Sequence, residues 1–147
     1  MNLFDRRTVR LLDVATVERA KAGKTYPQFC TIVQISASQG QTEILRTPSE
    51  VEAKYAVVRA IPGEIDPLYL FFLLEMGMPS FFHRYQTTIN MQIDAFKHMS
   101  LDVHKDMETQ REIGKAFYML DERIADEQRA IDRLKDFKAW HLDTMFA

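Results

Sequence analysis

A stripe of apolar residues near the C-terminal end constrains this chain more than any other feature. It runs through Ile113, Phe117, Leu120, Ile124, Ile131 and Leu134, at spacings of 4, 3, 4, 7 and 3. The series follows a heptad in which one seam position is taken by Glu127. A helix cannot bury such a stripe on itself, so it requires a second helix. A helix of roughly 30 residues is also about 45 Å long, more than a small preceding domain can cover. The stripe is therefore an interaction device. Glu127 would be costly if buried unpaired, so it calls for partial exposure or a matching cation, and it favours a defined register over general stickiness.

The rest of the composition narrows the class. A length of 147 residues allows one domain and an appendage rather than two independent cores. Hydrophobic residues make up 46% and charged residues 27%, which excludes a disordered chain. The sole cysteine, Cys30, rules out an internal disulfide; flanked by Phe29 and Ile32, it reads as a small buried hydrophobe, not a nucleophile. His83, His98, His104 and His141 are never three or four residues apart, so no metal site is expected. The five glycines are scattered singly and offer no phosphate-cradling loop. No catalytic set emerges, and the expectation is a non-enzyme without a cofactor. Nothing at the N-terminus reads as a signal peptide. The longest apolar run, Leu68 to Phe82, is broken by Glu75 and Pro79 and falls short of the roughly 20 residues a bilayer requires. The expected location is the cytoplasm, with no membrane partner.

A net charge of -2 conceals an asymmetry. Residues 1–60 hold nine Lys/Arg against six Asp/Glu, and residues 106–147 hold seven against ten. Any contact with a polyanion should therefore come from the N-terminal part.

Local patterns place the elements. Thr8 to Ala20 reads either as a strand and a helical turn or as one short helix, and its apolar spacing does not decide between them. Gly23 and Pro27 mark a loop, Phe29 to Ile35 a β-branched strand, and Ser36 to Thr42 a polar turn. Short strands are expected at Glu43 to Arg46 and Lys54 to Ile61. Asp66 before Pro67 is a strong helix start, because the carboxylate can cap free amides and proline suits the first turn. That helix is expected to run to about Met76 and stop near Gly77 and Pro79, with a second short helix over Ser80 to Tyr85. Its apolar run should be core. Ile89 to Ile93 and Met99 to Val103 read as strands, and the long helix begins near Asp106. The fold class is α+β: a compact mixed α/β domain over residues 1–105, then one long helix of coiled-coil type over 106–147.

The order of these segments resembles the specificity subunit of type I restriction-modification systems. The resemblance is carried by Ile65-Asp66-Pro67-Leu68-Tyr69-Leu70-Phe71-Phe72-Leu73-Leu74, then Leu101-Asp102-Val103, then Glu108-Thr109-Gln110-Arg111-Glu112-Ile113, the heptad helix and the closing Met145-Phe146. It is best over residues 54–147 and weak over 1–53. Val103-His104-Lys105-Asp106 lacks the proline usual before the glutamine, and there is room for one recognition domain and one helix where the family has two of each. The chain therefore looks like a half-subunit with a shortened recognition part. The resemblance implies a target recognition domain that reads double-stranded DNA and a helix that packs against a matching helix. It also implies a modification (methyltransferase) subunit, with or without a restriction subunit, as partner and seat of the chemistry.

Within that frame, Arg6, Arg7, Arg10, Arg19, Lys21 and Lys24 are the candidates for phosphate contact, since their cations neutralise the DNA backbone without reading sequence. Ser38, Gln39 and Gln41 are the candidates for base contact, because hydroxyl and amide groups match groove edges and glutamine can grip adenine bidentately. A solvated face and an ordinary turn account for the same residues. Thr87, Thr88, Asn90 and Gln92 form a second polar set, better read as satisfying backbone groups at a strand edge. Ile113, Phe117, Leu120, Ile124, Ile131 and Leu134 are the dimer or partner interface. The leading expectation is a homodimeric DNA-specificity subunit. Its rivals are an assembly or regulatory protein that binds modification subunits without reading DNA, and a plain homodimeric scaffold.

Overall fold

The structure is a computed structural model and describes residues 3–37 and 39–146. It divides into two units, a domain up to Lys115 and a helical unit from Ala116 onward. The N-terminal segment resolves into strand, turn and strand: β1 (Arg6–Arg10), the one-turn α1 (Leu11–Val14) and β2 (Ala15–Arg19). Leu11 and Val14 are buried at the turn. Next come β3 (Thr25–Tyr26), β4 (Thr31–Gln34), β5 (Thr42–Ile44), β6 (Ser49–Glu50) and β7 (Tyr55–Ala60). Helix α2 (Pro67–Tyr85), a 3-10 segment (Ile93–His98), β8 (Ser100–His104) and α3 (Met107–Phe146) complete the order.

The central sheet runs β2-β7-β4-β5, all antiparallel. Side chains on a strand alternate between faces, and β7 uses both. Ala56 and Val58 join Val33, Ala15 and the apolar residues of α2 in the main core. Val57 faces the other way, into a smaller core with Ile32, Cys30, Tyr26 and Val51. The short β3–β6 pair supplies Tyr26 to that second layer. A separate ribbon pairs β1 with β8, so the start of the chain is tied to the strand just before α3.

Two expectations are corrected. The helix from Asp66 does not stop at Gly77; α2 continues through Pro79 to Tyr85. Met78 and Phe82 are buried on its core side, while Pro79 and Glu75 are exposed. The proline thus removes a backbone bond on the solvent side, where the loss is cheapest, and burial of the flanking residues carries the helix through. Residues 89–93 form no strand. Thr87 and Asn90 make an isolated bridge, and Ile93 begins the 3-10 turn instead. The alternating Ile89, Met91 and Ile93 form no ladder; Met91 instead donates its backbone N–H to the Ile35 carbonyl at 2.9 Å. The start of α2 matches expectation: Asp66 Oδ2 accepts from the Tyr69 N–H at 3.0 Å, and proline follows the cap.

Candidate nucleic-acid and partner interfaces

Within the domain, the basic candidates separate into three places. Arg6, Arg7 and Arg10 lie exposed on β1. The side of the ribbon bearing Arg6 and Thr8 also bears Asp102, whose Oδ1 accepts from Thr8 Oγ1 at 2.7 Å. Arg6 lines an open cleft of about 610 Å³ between α2 and β8, together with Arg84, His98, Ser80 and Ser100. The His98 ring stacks on Tyr85 with centroids 5.3 Å apart. Arg84 and His98 are far from Arg6 in sequence, and only the β1–β8 pairing brings them to one cleft.

The second place is the β2–β3 loop. Lys24 Nζ pairs with Glu18 Oε1 at 2.7 Å and lies 5.0 Å from the centre of the Tyr26 ring. The hydrogen bond to Glu18 raises the Lys24 pKa, so the amine stays charged. Arg59, which the sequence did not single out, shares a cleft of about 350 Å³ with Lys24, Thr16 and Thr25. It stands opposite Thr16 across the β2–β7 ladder. Lys21 is exposed, and its backbone N–H donates to the Tyr26 hydroxyl.

Arg19 marks the third place. Its Nε donates to the Ala53 carbonyl at 2.8 Å and its Nη2 to Ser36 Oγ at 3.4 Å. It therefore braces the foot of the polar turn. In that turn Gln41 Oε1 accepts from the Gln39 N–H at 3.1 Å, while the Gln39 side chain is part of an exposed residue. Gly40, at φ 82°, presses on α2, since a Cβ there would stand 3.0 Å from Phe82 Cβ. Ser38 lies outside the described residues. Asn90 Oδ1 accepts from the Ala37 N–H at 2.9 Å, and the Thr87 and Thr88 hydroxyls donate to the Asn90 and Thr87 carbonyls, so three of the second polar set bond backbone groups. Cys30 is buried, and burial raises its thiol pKa. Among the described residues no group of three or more His, Cys, Asp or Glu side chains is placed to hold a metal ion. None of the described helices is long and apolar enough to cross a membrane.

A further cluster, at the root of α3, escaped the sequence reading except as motif residues. Gln110 is buried; its Nε2 donates to the His104 carbonyl at 2.7 Å and its Oε1 accepts from the Asp66 N–H at 3.0 Å. One side chain thereby ties the end of β8 to the start of α2. The Tyr69 hydroxyl lies 2.6 Å from His104 Nδ1 and accepts from the His104 N–H at 2.9 Å. Gly114 completes the joint: a Cβ there would stand 2.6 Å from the Tyr69 backbone nitrogen. Asp106 caps α3 by accepting from the Thr109 N–H and hydroxyl, and the hydroxyl bond lowers its carboxyl pKa. Ile113 packs against the domain's own main core.

In the helical unit the seam lies open. Phe117, Leu120, Ile124, Ile131 and Leu134 are 45–67% exposed, and Phe137, Trp140, Met145 and Phe146 are exposed beside or beyond them. Arg123 Nε meets Glu127 Oε1 at 3.3 Å along the helix. Exposed apolar residues repeating at helical spacing mark an interaction surface.

No protein-family model and no curated protein matches the sequence. Solved structures do. A type I restriction-modification S subunit from M. genitalium superposes with a TM-score of 0.73 at 10% identity, covering 86% of this chain and 41% of that one. A chain from a study of complex assembly and conformational transition in the type I R-M system gives a TM-score of 0.66 at 13% identity over 88% of this chain and 42% of that one. The HsdS subunit of Thermoanaerobacter tengcongensis gives 0.60 at 11% identity over 88% and 40%. The chain spans about two fifths of the length of each. Its sheet domain and long C-terminal helix therefore have the fold of one part of a type I restriction-modification S subunit.

Proposed function

We propose that this protein is a DNA-specificity component of a type I restriction-modification system, working as a half-subunit. In this reading residues 1–105 meet double-stranded DNA, and residues 106–147 hold the second recognition domain through helix pairing. Methyltransferase and restriction subunits, in the cytoplasm, bring the chemistry. The observation that carries the proposal is the likeness in fold to S subunits over 86–88% of the chain, joined to an open heptad seam. Arg6, Arg7 and Arg10 on the exposed ribbon, with Lys21, Lys24 and Arg19 around the loop and turn, serve as phosphate contacts. Gln39, Gln41 and Ser38 serve as base contacts. A two-fold pair of such chains would prefer a palindromic site split by a spacer, because protein symmetry is mirrored in the DNA.

One observation favours a second reading. Lys24 is already paired with Glu18, and Arg19 is already spent on Ala53 and Ser36. A protein that assembles with modification subunits without reading DNA has no need of either as a phosphate contact. Co-expression with a partner methyltransferase subunit, followed by genome-wide mapping of methylated bases, separates the two. A new split palindromic motif supports the specificity reading. Stable co-purification without new methylation supports the assembly reading and contradicts the first.

A further inference from the structure

The seam in the helical unit carries its own registration mark. Written as a heptad, Phe117, Ile124, Ile131, Lys138 and Met145 occupy one core position, and Leu120, Glu127, Leu134 and His141 the other. Two of these positions are charged, one acidic and one basic. In an antiparallel pair the two kinds of position face each other across the seam, so the allowed registers differ by whole heptads. Among them, a single register sets Glu127 against Lys138. Its two-fold axis falls between Asp132 and Arg133, and its remaining layers are Ile131 on Leu134, Ile124 on His141 and Leu120 on Met145.

Neighbouring registers fail on charge. A shift of one heptad sets Glu127 against Ile131 in one direction and against Met145 in the other. The same shifts set Lys138 against Leu120 or Leu134. Each leaves both charges facing hydrocarbon, which is costly without a partner. A parallel pair in register sets Glu127 on Glu127 and Lys138 on Lys138, two repulsive layers. The flanks agree with the first register: Phe137, 60% exposed, comes beside Ala130 of the second copy, where a small residue leaves room for the ring. The Arg123–Glu127 contact within one helix joins two well-exposed side chains and competes little with an added partner.

We propose that the seam from Leu120 to Met145 binds a second copy of this chain antiparallel, in the register locked by two symmetric Glu127–Lys138 ion pairs. The proposal rests on the helix-pairing part of the function proposed above, antiparallel orientation included, and adds its register and the residues that set it.

The test is sedimentation equilibrium of the intact chain carrying Glu127→Lys, Lys138→Glu, both, or neither. Each single reversal should weaken the dimer tenfold or more, since it places like charges in two layers. The double reversal should restore the dimer to within about threefold, and an equimolar mixture of the two single variants should form heterodimers in preference to homodimers. All these positions are exposed, and circular dichroism of each variant checks that the helix is intact. Oxidative cross-linking gives an independent reading: Ile131→Cys mixed with Leu134→Cys should cross-link, and Ile131→Cys alone should not. A wild-type monomer at tens of micromolar would overturn both the register and the self-pairing part of the proposed function. A wild-type dimer indifferent to the single reversals, or Ile131→Cys linking to itself, would overturn the register and leave self-pairing standing.

Discussion

Helix α3 begins inside the domain and continues through the helical unit, and its two parts reverse the ordinary relation of polarity to burial. Along its first turns the buried residues are Thr109, Gln110 and Gly114, two of them polar. From Ala116 onward, Phe117, Leu120, Ile124, Leu134 and Trp140 are all exposed. Buried polar groups persist where each has a partner, and Gln110 has two. Exposed apolar groups at heptad spacing persist where a partner helix covers them. The first part is built for a unique geometry, since a glutamine with both ends bonded and a glycine against backbone tolerate no slippage. The second presents apolar area to solvent, and in the pairing proposed above its register rests on Glu127 and Lys138.

Substitutions should separate the parts by the size of their effect on unfolding. Gln110→Ala removes both bonds and leaves the buried His104 carbonyl and the part-buried Asp66 amide without that partner. At about 1–3 kcal/mol for the buried carbonyl and about 1 kcal/mol for the part-buried amide, urea unfolding should show a loss of roughly 2–4 kcal/mol. Gly114→Ala forces a methyl toward the Tyr69 backbone nitrogen, which cannot swing aside as a side chain would. A loss of about 1–3 kcal/mol is expected from overpacking. By contrast, Leu120→Ser with Ile124→Ser should change domain unfolding by no more than ~0.5 kcal/mol, as for surface positions, while abolishing self-association. An equal loss from the seam pair and from Gln110→Ala would erase the distinction between the parts.

The smallest effect concerns the cap. The Asp106 carboxyl pKa is held below its ordinary value of 3.8 by the Thr109 hydroxyl. A depressed carboxylate pKa adds stability above the unfolded value, and this is lost as pH falls through the folded value. Asp106→Asn should therefore flatten the acid limb of the stability–pH curve, below about pH 4–5, while leaving the cap's acceptor oxygen in place.

How much of this was legible in the sequence depends on whether a feature is local. Asp66-Pro67, the β-branched run at Thr31 to Gln34 and the heptad declare themselves within a few residues, and the structure has a helix start, a strand and a long helix there. Pro79 misled because its cost is local while its compensation, the burial of Met78 and Phe82, is tertiary. The pairs β1–β8 and β3–β6 join segments distant in sequence, and two-residue strands carry no periodicity to read. The site followed the same division. Arg6 was named from local charge, but Arg84 and His98 join it in one cleft only through packing. Gln110 stood in a motif whose physical reason appears once His104 and Asp66 are seen on either side of it.

In the proposed pairing, the helix beyond Lys115 is an intermolecular surface and the helix before it is not. Hydrogen exchange of the intact chain over a concentration series tests this directly. Amides of residues 107–115 should be protected equally at every concentration, and those of 117–145 should gain protection as concentration rises through the dimerisation range. Protection of residues 117–145 that does not change with concentration, whether high or low, would contradict the claim.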